Sequence, residues 1–260
     1  MNIKNDDIIN ILQEASQKII MPLFGKLQND DIKTKTNPND FVTTADLLSE
    51  KFLSSELLKI IPNSLVFGEE SAFQEQTSKE VFKSDNPIWI IDPVDGTRNF
   101  VNQNPNFGII LSLVIKQEAV LGYIFKPTTG EYIIAEKGSG CIDEKQEAIS
   151  LPTPKGATPT LNGIVGTITE KIAATVPDVN WFGSAAGAYL DFLKQKTDFL
   201  IFKPQTLHSW DHIAGILACH TIGAEAKLAN GNEYTVADSK GCLICATNKE
   251  TWQDLQQLAL

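Results

Sequence analysis

The sequence predicts a mixed α/β protein. Two observations carry this. Segments with apolar residues at helical spacing alternate along the whole chain with short runs rich in β-branched and aromatic residues. The chain also has 260 residues, 42% of them hydrophobic, which is enough to bury a sizeable core as one large unit or two closely joined ones.

The elements follow in order. Ile8, Ile11, Leu12, Ala15 and Ile19 recur at helical spacing and predict a helix over 5–24. The stretch 25–40 is polar and holds Asn37-Pro38-Asn39-Asp40, a turn signal. Thr43 or Thr44 then caps a second helix running through Ala45, Leu48, Phe52, Leu57 and Ile61. A strand is expected over 64–67, and helix and loop over 71–87. Ile88-Trp89-Ile90-Ile91 is a buried strand ending at Asp92. The runs 107–115, 120–125 and 131–135 are separated by turn residues and predict an antiparallel meander. The segment 151–159 contains three prolines and divides the chain into an N-terminal part, 1–150, and a C-terminal part, 151–260. In the second part strands are expected over 164–168, 199–202 and 242–246, and helices over 184–194, 210–222 and 250–260.

The net charge of -10 argues against nucleic acid or an anionic membrane surface as the main partner, because both repel an acidic protein. No apolar stretch approaches a membrane span, and the first residues are polar, so a cytoplasmic protein is expected. Of the four cysteines, Cys242 and Cys245 form a C-x-x-C. Its Leu-Ile interior reads as a buried strand holding reduced thiols rather than as a redox motif at a helix start.

The most informative segment is Asp92-Pro93-Val94-Asp95-Gly96-Thr97-Arg98-Asn99-Phe100. Two aspartates leave the end of a buried strand, where open α/β sheets form their sites. Proline stiffens the chain between them, and glycine allows the backbone to approach a ligand. Acids held this close repel unless a cation lies between them, and magnesium takes oxygen ligands from carboxylates and phosphate. A lone Asp-Gly would be an ordinary turn; the whole string after a buried strand reads as a metal site.

The string resembles the first signature of the inositol monophosphatase family of lithium-sensitive, magnesium-dependent phosphatases. Further motifs resemble that family in order: Lys35, eleven residues before Asp46; Val42-Thr43-Thr44-Ala45-Asp46; Gly68-Glu69-Glu70-Ser71; Gly183-Ser184-Ala185-Ala186; and Trp210-Asp211-His212-Ile213-Ala214-Gly215. Taken singly, Glu69-Glu70 is a solvated acidic turn, Asp46 and Asp211 are helix-start charges, and Lys35 is a surface residue. Their joint order outweighs those readings.

The resemblance implies a layered αβαβα sandwich, with the site between its two parts, and hydrolysis of a small phosphate monoester by metal-activated water. It implies two or three Mg²⁺ ions. Glu69, Asp92 and the Val94 carbonyl would hold one; Asp92, Asp95 and Asp211 a second; a third would lie near Glu69. Asp46 and Thr97, with Glu69, would activate the attacking water, and Asp95, Gly96, Thr97, Ala186 and Asp211 would contact the substrate. Lithium inhibition and a homodimer are also implied. The Asp-x-x-Asp spacing argues against an aspartyl-phosphate route. His208, His212 and His220 are expected to pack rather than bind zinc. Pro204 stands where inositol-type relatives carry a substrate-binding glutamate, with Lys203 and Gln205 beside it. The alternatives are therefore a 3′-phosphonucleotide, fructose bisphosphate or histidinol phosphate as substrate, or a non-catalytic protein that binds a phosphorylated effector.

Overall fold

The computed structural model describes residues 3–151, 162–165, 178–180, 183–202 and 206–259. It forms five layers, helix–sheet–helix–sheet–helix. The outer helical layer is α1 (Asn5–Ala15) and α2 (Thr44–Ile60). Next comes a six-stranded sheet in the order β3 (Leu65–Gly68), β4 (Ile88–Asp95), β5 (Gly108–Ile115), β6 (Glu118–Phe125), β7 (Tyr132–Glu136) and β8 (Gly140–Asp143). Its first two strands are parallel and the rest antiparallel. Short helices α3 (Glu69–Phe73) and α4 (Thr97–Val101) follow β3 and β4.

The central layer is α5 (Ala185–Leu193) and α6 (Ser209–Thr221). Beyond it lies a five-stranded sheet, ordered β10 (Asp178–Asn180), β9 (Asn162–Val165), β11 (Phe199–Phe202), β13 (Leu243–Ala246) and β12 (Glu225–Leu228). Helix α7 (Lys249–Ala259) covers its outer face. All strands of the first sheet precede residue 150 and all strands of the second follow it.

Alternation along the strands builds the layers. In β4, Trp89 and Ile91 point toward Ile8 and Leu12 of α1 and Leu53 and Leu57 of α2, whereas Ile88 and Ile90 join the central layer. A strand buried on both faces reads as a continuous apolar run, as this one does. The central layer closes on Leu200, Phe202 and Leu243 of the second sheet, so one apolar cluster spans both parts. In β11 the alternate residues Phe199 and Ile201 face α7 instead.

Four differences from the sequence reading have local causes. The first helix is α-helical only over Asn5–Ala15; a π turn, Ser16–Ile20, and one further turn, Met21–Leu23, carry it on. Pro22 lacks the N–H that would bond to Lys18, and the wider turn accommodates the gap. β4 does not end at Asp92 but runs to Asp95, with its register against β5 shifting between the two acids, where Pro93 cannot donate to the ladder. The polar stretch before α2 contains a hairpin, β1 (Ile32–Thr34) with β2 (Phe41–Thr43). β8, β10 and β12 were absent from the expected set; each is a strand of three or four residues at a sheet edge. Of the strand expected over 164–168, only Ile164 and Val165 fall in β9; residues 166–168 lie outside the described residues, as do Lys203, Pro204 and Gln205. Cys141, Cys219, Cys242 and Cys245 are buried, and no helix of the described residues is long and apolar enough to cross a membrane.

Trp252 pins α7: it is 6% exposed and its Nε1–H donates to the Ile244 carbonyl at 3.1 Å. Trp252→Ala is expected to cost about 3–5 kcal/mol in denaturant unfolding; an unchanged midpoint would refute this account of the outer layer.

Candidate active site

The acids converge at one edge of the first sheet. Asp92 and Asp95 flank the β4 bulge, and Asp211 enters from the first turn of α6. One carboxylate oxygen from each lies within 4.8 Å of the others. Asp92 is 2% and Asp95 6% exposed. Burial first, then the charges of Glu69, Asp95 and Asp211, push the Asp92 carboxyl well above the usual range, and it shares a side-chain hydrogen bond with Asp211. Asp211 is raised likewise, by burial and then by Asp95 and Glu69.

Asp95 is anchored from the central layer. The Ser184 hydroxyl donates to its Oδ2, Ala185 N–H to Oδ1 at 3.0 Å and Ala186 N–H to Oδ2 at 2.7 Å. These are the cap and first turn of α5, whose N–H groups lack helical partners. Burial still lifts the Asp95 carboxyl to about 6 against those donors. The Ala186 N–H is thus spent on Asp95. Gly96, at φ 86, takes a left-handed turn where a Cβ would lie 3.0 Å from both the Gly183 carbonyl oxygen and Ser184 Cβ. Only glycine meets both demands.

Asp46 lies at the start of α2 and is fully buried. Thr43 caps the helix and donates to Asp46 Oδ2 through its N–H at 2.8 Å and through its hydroxyl. The Thr97 Oγ1 lies 3.0 Å from Asp46 Oδ1 and 3.1 Å from the Val94 carbonyl oxygen. The expected pair of Asp46 and Thr97 is therefore in hydrogen-bond contact. Burial raises the Asp46 carboxyl to about 6, with the Thr43 bonds opposing and the Glu69 charge adding to the rise.

Glu69 stands outside the close trio. Its carboxylate pairs with Lys35 Nζ at 2.7 Å, and Glu70 pairs with the same Nζ at 2.6 Å. Lys35 is not a surface residue: its side chain is 2% exposed. Burial alone would depress its ammonium, but the two glutamates outweigh that and hold it above the ordinary lysine range. Glu70 is buried, and burial with the Glu69 charge lifts its carboxyl to about 8. Beside this pair opens a cavity of about 760 Å³ walled by Phe67, Phe73, His208 and Trp210. His208 stacks on Trp210 at 4.4 Å and 8°. His212 is buried beside Tyr189, with its pKa pushed down to about 3 by burial, and His220 reaches the Ala226 carbonyl at 3.1 Å. No histidine joins the acid trio among the described residues.

The donor set is all oxygen, largely buried and crowded with like charge, which is the chemistry of a hard divalent cation. Sequence reasoning missed Glu50, whose carboxylate accepts the N–H groups of Glu70 and Ser71. Its spacing one turn after Asp46 was the available signal.

The sequence profile of the Inositol monophosphatase family matches residues 4–259. The chain is 29% identical over 235 residues to the fructose-1,6-bisphosphatase/inositol-1-monophosphatase of Thermotoga maritima, covering 88% of this chain and 86% of that protein. It is 26% identical over 242 residues to the inositol-1-monophosphatase of Bacillus subtilis, covering 89% and 88%. The solved structure of a Thermotoga maritima IMPase superimposes with a TM-score of 0.82 at 25% identity, over 98% of this chain and 96% of that one. The chain belongs to the inositol monophosphatase family, whose members are phosphoric monoester hydrolases.

Proposed function

We propose that this phosphatase uses magnesium held by Glu69, Asp92, the Val94 carbonyl, Asp95 and Asp211, and that the Asp46–Thr97 pair accepts the proton of the attacking water. The observation that carries the reading is the meeting of Asp92, Asp95 and the partly buried Asp211 with a threonine–aspartate pair, its aspartate fully buried, that reaches Val94, between the two acids of the same motif. When bound, magnesium would lower the pKa of water and neutralise charge on the phosphoryl oxygens.

The chain's own groups supply the rest. Thr97 Oγ1, 3.0 Å from Asp46 Oδ1, takes a proton from water as it passes its own to Asp46. A carboxyl near pKa 6 accepts and returns a proton close to neutral pH. Ser184 and the first turn of α5 hold Asp95 toward its neighbours. Backbone N–H groups of Gly96 and Thr97 would bind phosphate oxygens, and Asp95, Asp211 and Ala186 would border the rest of the substrate. Two or three ions, a cytoplasmic location and a homodimer complete the reading, as the family resemblance implies. Similar proteins carry names for inositol-1-phosphate, fructose-1,6-bisphosphate and bisphosphate-nucleotide activities, so those esters form the substrate panel.

Phosphate release from that panel with magnesium is expected for the unaltered protein and is expected to vanish in Asp211→Asn; equal rates would contradict the metal assignment. Asp46→Asn is expected to lower kcat by about 10²–10⁴-fold with little change in KM, whereas a loss confined to KM would remove Asp46 from proton transfer. Because the carboxyls of Asp92, Asp95 and Asp211 hold protons above their ordinary range, magnesium must displace them. Apparent affinity should therefore rise as pH rises through about 6, where Asp95 gives up its proton. Calorimetry in buffers of different ionisation enthalpy should record proton release; no buffer dependence would count against the site.

A further inference from the structure

We infer that Glu50 is a positioning residue: its carboxylate clamps the first turn of α3 to α2 and so fixes Glu69 relative to Asp46. The inference rests on the reading of Glu69 as a magnesium ligand.

Helix α3 is only five residues long and cannot hold its own place by helical bonding. Its first-turn N–H groups have no helical acceptors. Glu50 supplies them from outside. Its Oε2 accepts Glu70 N–H at 2.7 Å and its Oε1 accepts Ser71 N–H at 2.9 Å. Glu50 is 6% exposed, and a buried carboxylate persists only where its oxygens are satisfied. Both oxygens end on main-chain donors of one short turn, where a negative charge is also favoured.

Gly68 is the socket for this clamp. Its φ of -96° suits any L-residue, so the backbone does not demand glycine. Space does: a Cβ at Gly68 would lie 2.3 Å from Glu50 Cδ and 2.4 and 2.5 Å from its two oxygens. The glycine that opens Gly68-Glu69-Glu70 is therefore required by Glu50.

Asp46 and Glu50 are one turn apart on the buried side of α2. The same rigid helix thus presents the proton acceptor at one turn and the clamp at the next. Lys35 grips Glu69 and Glu70 by their side chains, while Glu50 grips the turn by its main chain. Two independent holds keep Glu69 beside the trio, although its carboxylate is not packed among them.

The test measures magnesium binding by calorimetry and amide exchange of metal-free protein by mass spectrometry. Glu50→Gln keeps the shape but offers one acceptor for two donors. It is expected to weaken magnesium binding by about 10–100-fold and to speed exchange at Glu70 and Ser71 severalfold, with the melting temperature nearly kept and KM at saturating magnesium unchanged. Gly68→Ala, which pushes the carboxylate away without removing it, should weaken binding in the same sense. In the Gly68→Ala/Glu50→Ala double variant, Gly68→Ala should add no further loss, because its clash is gone. Wild-type affinity and exchange in Glu50→Gln, or additive losses in the double variant, would overturn the clamp. Should Glu50→Ala fail to fold, Glu50→Gln and Gly68→Ala still decide the matter. A Glu69→Gln control separates the two claims. Unchanged affinity there removes Glu69 as a ligand, while amide exchange in Glu50→Gln still judges the clamp.

Discussion

Like charge confined away from water is the constraint on which this structure turns. Asp92 and Asp95 sit almost wholly buried with Asp211 in their midst, and Glu69 adds its field from nearby. Carboxylates so placed lose hydration and repel one another, and the protein answers by raising their pKa until protons or a cation relieve the crowding. Such a cluster is stable only where the surrounding fold over-determines each position. The five layers do this by presenting the acids from elements that cannot move independently: an interior strand, the start of a packed helix and a turn tied to α2.

Each acid is secured in a different way. Asp95 is tied to the cap of α5, which joins the first sheet to the central layer. Asp46 is tied into the cap of its own helix and to Thr97. Glu69 and Glu70 are gripped by Lys35, a buried cation that balances part of their charge. Asp92 accepts one backbone donor, the Val94 N–H at 3.1 Å, and otherwise shares a side-chain hydrogen bond with Asp211. That contrast explains a division of labour. The groups held by several donors or by a cation are pre-organised before any ion arrives, and the pair with the fewest has the most to gain when one does.

Much of this was legible in the sequence. The apolar run 88–91 gave β4, the capped apolar run from Thr43 to Ile61 gave α2, the helices expected over 184–194 and 210–222 are α5 and α6, and the motifs around Asp92, Asp95 and Asp211 marked the acids that meet. What escaped was set by tertiary context. The β4 bulge depends on pairing with β5 across a proline, which no local pattern reveals. β8 and β12 are edge strands of four residues, too short for alternation to stand out. Lys35 taken alone resembled a surface charge, and only its place in the order of motifs set it apart, because its burial comes from the chain folding back at the β1–β2 hairpin. Glu50 looked like any helix glutamate until Gly68 and the α3 backbone closed around it.

The central claim is that the crowded trio is a cation site. The most direct measurement is anomalous diffraction from crystals soaked in manganese, a magnesium substitute with a usable signal. A peak coordinated by Asp92, Asp95 and Asp211 is the predicted result. A manganese-supported enzyme whose crystals place the metal elsewhere, with those three carboxylates empty of density, would contradict the account.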